Sequence, residues 1–63
     1  MNMDYVQELK ESFLNGNRTY VVNEICALPK MVAIAYAAHM ADQLSYDGEA
    51  LATFLRLLEN SME

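Results

Sequence analysis

The segment Pro29–Leu44, PKMVAIAYAAHMADQL, constrains this chain more than any other. Between Met31 and Ala41 its one strongly polar residue is His39, and five of its positions are alanine. On a helical wheel at 100° per residue, Met31, Ile34, Ala38, Ala41, Ala37, Leu44, Ala33, Met40 and Tyr36 cover an arc of roughly 220°. His39, Asp42 and Gln43 share the remaining sector with Ala35 and Val32. An apolar arc that wide exceeds the stripe of a surface helix and requires cover from several neighbours. The expectation is an all-α fold, a compact bundle of three to four short helices around a buried central Ala-rich helix at about 29–44.

Ala33, Ala37 and Ala41 recur every four residues down the middle of that arc, a smooth track on which another helix can cross closely. With Tyr36, Met40, Leu55 and Leu57 they are the expected seam, either within the core or between two copies of the chain. A membrane span is not expected, because the apolar run before His39 is about 8 residues and spanning takes about 20.

Sixty-three residues suffice for one small helical domain, 1–63. A domain of this size buries only about 60% of its unfolded surface, so its core is marginal without a disulfide, a metal, dense packing or self-association. Cys26 is the only cysteine, which rules out an internal disulfide and fits a reducing cytoplasm. No His and Cys cluster offers a zinc site, and no cofactor is expected. The hydrophobic content of 54% exceeds the about 45–50% typical of soluble domains. Self-association as a homodimer is therefore expected.

The net charge of −5 and the scatter of Lys10, Arg18, Lys30 and Arg56 argue against a nucleic-acid binder, since such affinity comes mainly from phosphate contacts. The start, MNMDYVQ, has neither the basic leader nor the apolar core of a signal peptide, which points to the cytoplasm.

A first helix is expected from about Asp4 to Asn15, with Tyr5, Val6, Leu9 and Phe13 inward and Leu14 apart from them. Asp4, Glu8 and Glu11 line its outer side, either solvated or a surface for a basic partner. Gly16 stands where a left-handed residue stops a helix. Asn17 suits the cap of a second helix with Val21, Val22, Ile25, Cys26 and Leu28 on one face. Its β-branched residues and the Asn15-Gly16 pair make a hairpin the competing reading. Tyr20 points away from the apolar face beside Glu24, an aromatic anchor for a partner. Leu28-Pro29 ends this helix and starts the central one. A fourth helix follows Leu44, with Ser45 the first choice of cap and Asp47 the alternative. Leu51, Phe54, Leu55, Leu58 and Met62 form its amphipathic stripe, widened by Ala50, Leu57 and Tyr46.

Chemistry has little to build on. His39 with Asp42 can orient an imidazole or begin a metal site, but a surface hydrogen bond explains the pair as well. Cys26 falls on an apolar face and is expected to be a buried structural cysteine, while His39 falls on a polar one, so no thiol–imidazole pair is placed within reach. No phosphate loop can be drawn with only Gly16 and Gly48. No enzyme is expected. A helix-turn-helix reader would have to use Arg18, Thr19, Tyr20 and Asn23 of the second helix. An acidic mimic of DNA, occupying a DNA-binding protein, is a further alternative. The favoured expectation is a non-enzymatic interaction module, a small regulator or inhibitor that dimerises and binds a partner protein through Asp4, Glu8, Glu11, Arg18, Tyr20 and Glu24. Its size suits a phage- or plasmid-encoded product.

Overall fold

A computed structural model describes residues 2–62, and every described element is helical: α1 (Met3–Leu14), α2 (Arg18–Cys26), α3 (Lys30–Leu44) and α4 (Gly48–Ser61). The all-α bundle is as the periodicity predicts. The second segment is a helix and not a hairpin arm. At nine residues α2 is too short to persist alone. Its β-branched residues are tolerated because Val21, Val22 and Ile25 are all buried, and packing overrides a weak intrinsic preference.

The helix ends follow from side-chain chemistry. Asn2 caps α1, its Oδ1 accepting from the backbone N–H groups of Asp4 and Tyr5 at 3.0 and 3.3 Å. The helix closes as Asn17 N–H donates to the Ser12 carbonyl at 2.9 Å and Gly16 N–H to that of Phe13 at 3.1 Å. This bond pair requires a left-handed residue between them, and Gly16 supplies it with φ of +104°. Asn17 occupies the α2 cap position but makes no side-chain capping bond.

Between α3 and α4 the expected first choice of cap is corrected. Asp47, not Ser45, caps α4, accepting from Glu49 and Ala50 N–H at 3.2 Å each. Ser45 instead closes α3, its hydroxyl donating to the Asp42 carbonyl at 2.7 Å. Asp47→Ala is therefore expected to cost about 1 kcal/mol, whereas exposed Ser45→Ala should stay within about 0.5 kcal/mol. Equal losses in urea denaturation would contradict this division of roles.

The core joins all four helices. Val6, Leu9 and Phe13 of α1 meet Val21, Val22 and Ile25 of α2, Met40 and Leu44 of α3, and Ala50 and Phe54 of α4. Phe13 and Phe54 stack edge to face at 5.6 Å and 86°, a favoured aromatic geometry that ties the first helix to the last.

One expectation about α3 fails. It packs against each of the other three helices, but only Met40 and Leu44 are buried. Ala33, Ala37 and Ala41 are half-buried against the core, and Met31, Val32, Ile34 and Ala38 are exposed. The reason is shape. The Cα trace measures 27 × 27 × 17 Å, and a thickness of 17 Å accommodates about two helix layers at 8–10 Å spacing. Every helix in such a slab keeps an outer side, so α3 cannot be enclosed. The fourth helix departs likewise: Leu55 and Met62 are 48% and 72% exposed. Tyr46 precedes α4 and is exposed, with the Lys10 Nζ 5.2 Å from its ring centre.

Candidate functional site

Two surfaces gather the residues of interest. The first is a groove of about 480 Å³ between the end of α2, the first half of α3 and the last turns of α4. Ile25 and Leu28 line it from the α2 side, Ala33, Ile34 and Ala37 from α3, and Leu58 and Met62 from α4. The hollow exists because Ala33 and Ala37 carry only methyl groups where larger side chains would fill the gap. Of its lining residues Ile34 is 49% and Met62 72% exposed, and on the same two helices Met31 and Leu55 are exposed as well. Scattered exposed apolar residues are ordinary, whereas apolar residues grouped at a concavity mark an interaction surface. Lys30 is the one charged residue among the described residues lining the groove.

Cys26 also lines this groove and is exposed, which corrects its expected burial. The buried arc of α2 is centred on Val21, Ile25 and Val22, and Cys26 lies just past its edge. His39 and Asp42 are both exposed on α3. Among the described residues they join no group of three or more ligating side chains that could hold a metal.

The second surface forms where α1, α2 and α3 meet. Tyr5 and Tyr36 pack edge to face at 5.4 Å and 89°. The Tyr20 hydroxyl donates to Glu24 Oε1 at 3.4 Å, and Tyr20 is 58% exposed. Burial holds the Tyr5 hydroxyl above the ordinary tyrosine range. The negative field of Glu24, then of Tyr20, Tyr36 and Glu8, adds to this. These groups therefore share one neighbourhood of aromatic faces and carboxylates, which is chemistry that attracts a cation.

Because Tyr5 ionises less readily folded than unfolded, stability from this site is complete below pH 10.0 and is lost as pH rises from there through the folded pKa. Tyr5→Phe should remove part of the alkaline loss of stability. Identical alkaline denaturation curves for parent and variant would contradict the assignment.

Of the expected partner-binding residues, Glu8, Tyr20 and Glu24 come together with Tyr5. Asp4 and Glu11 are exposed on the outer side of α1, and Arg18 lies with its guanidinium 5.8 Å from the centre of the Phe13 ring. Of the expected seam, Met40 is wholly within the protomer core, Leu57 packs half-buried against it, and Tyr36 belongs to the tyrosine surface. Ala33 and Ala37 line the groove, Ala41 continues the same α3 track, and Leu55 lies on the exposed α4 stripe. Met31, Ile34 and Met62, all exposed, were not among the seam residues expected from the sequence. The excess width of the α3 and α4 apolar arcs was the signal that could have found them.

No helix among the described residues is long and apolar enough to cross a membrane. Compared with family models, characterised proteins and solved structures, the chain finds no match.

Proposed function

We propose that this protein is a non-enzymatic interaction module: a small regulator or inhibitor that dimerises through its α3–α4 face and binds a partner protein through its tyrosine–glutamate face. The observation that carries the reading is the exposure of Met31, Ile34, Leu55 and Met62 on α3 and α4, with Ile34 and Met62 lining an apolar groove, although all four helices already share a buried core. A chain this small has little apolar surface to spare, and a twofold pairing is the commonest way to cover it. The lone, accessible Cys26 suits a reducing cytoplasm.

The second face is kept apart for the partner. Glu8, Tyr20 and Glu24, with Glu11 three residues along α1 from Glu8, favour a basic segment, with Tyr20 as the aromatic anchor. Light scattering at micromolar concentration should return twice the 7.1 kDa protomer mass. Tyr20→Ala or a Glu8→Lys/Glu11→Lys reversal should release the partner without changing that mass. A protein that elutes as a protomer would overturn the dimer, and variants that keep the partner would overturn the second face.

A further inference from the structure

The dimeric reading leaves open what fills the groove, and the charge pattern around it identifies the occupant. On α4, Leu55, Glu59 and Met62 fall within one stripe at spacings of four and three residues, and all three are exposed. That stripe is an acid flanked by two apolar anchors, the pattern of a helix seated in an apolar groove. The groove offers the complement, an apolar wall with Lys30 as its charged lining residue.

We propose that the α4 stripe of one copy lies in the α2–α3–α4 groove of a second copy, and reciprocally, with Glu59 of each paired to Lys30 of the other. A twofold arrangement makes each contact occur twice. The rest of the charge distribution points the same way. A chain of net charge −5 repels its own copy, and most of its acids lie elsewhere. Asp4, Glu8 and Glu11 are on α1, Glu24 is on α2, Asp42 is in the last turn of α3, and Asp47 and Glu49 are at the start of α4. None of them lines the groove, whose one charged lining residue among the described residues is Lys30, so a second acidic copy meets less repulsion there. A stable interface takes about 800 Å² from each partner, about a fifth of the 4143 Å² protomer surface. That footprint is larger than a groove alone, so Met31 and Ile34 join the α4 stripe in the contact.

A charge-swap cycle tests this. Lys30→Glu places an acid in the first turn of α3 and Glu59→Lys a base in the last turns of α4. Both changes suit the helix dipole and leave the protomer folded, which circular dichroism would verify. Sedimentation equilibrium should show either single swap weakening the dimer about tenfold, because two attractive pairs become repulsive. The double swap should recover association to within about threefold of the parent. A dimer that neither swap weakens, or a double variant with the summed loss of the two singles, would overturn this occupancy while leaving dimerisation standing. A parent that stays a protomer throughout would overturn dimerisation itself and this occupancy with it.

Discussion

Phe54→Ala is expected to remove about a third or more of the protomer's stability. Phe54 is completely buried, and its ring holds α4 to α1 through the edge-to-face contact with Phe13. Truncating a buried phenylalanine costs about 3–5 kcal/mol. At roughly 0.05–0.15 kcal/mol per residue, 63 residues give a total stability of about 3–9 kcal/mol. The loss therefore takes from about a third to all of what holds the protomer together. Urea denaturation followed by circular dichroism should show either no folded baseline or a midpoint lowered by about a third or more. A loss below about 1 kcal/mol would mean that the two rings do not form the centre of the core.

Leu55→Lys, one residue further along the same helix, should have the opposite profile. Leu55 is 48% exposed, so the protomer should change stability by no more than about 0.5 kcal/mol. In the proposed dimer the same change buries a cation against apolar surface and draws Glu59, one turn along α4, away from its partner, which costs about 3 kcal/mol or more. At 1.4 kcal/mol per factor of ten, the dissociation constant should rise by more than about a hundredfold. The added positive charge lowers the overall repulsion of an acidic chain, so lost association cannot be ascribed to net charge. An unchanged thermal midpoint for the dilute protomer together with a lost dimer is the expected pair of results. A variant that associates like the parent would remove Leu55 from the interface.

The helices were legible because each carries a clear 3.6-residue period, and the stop at Gly16 and the break at Pro29 mark their ends in local chemistry. Less legible was which apolar surface a chain buries in itself and which it leaves exposed. Ile34 and Met40 are equally apolar, yet one is 49% exposed and the other fully buried. The difference arises from the slab-like packing of four short helices, which no wheel contains. Cys26 was misplaced for a related reason, since a position at the edge of an apolar arc can face inward or outward according to how its neighbours close. The choice between Ser45 and Asp47 turned on a single residue of helix register. At the tyrosine surface, Glu8, Tyr20 and Glu24 were visible as exposed polar positions. Tyr5 and Tyr36 pack half-buried against the core as their apolar arcs suggest, but their edge-to-face contact joins helices far apart in sequence and shows in no single wheel.

The central claim is that the open α3–α4 face is covered by a second copy. Isotope-filtered NMR on a mixture of labelled and unlabelled protein tests it most directly, since only contacts between copies give signal. The account predicts cross-peaks between copies from the Met31 and Met62 methyl groups to those of Ile34 and Leu55. An absence of cross-peaks between copies at high concentration, or cross-peaks arising only at Tyr20 and the outer side of α1, would contradict it.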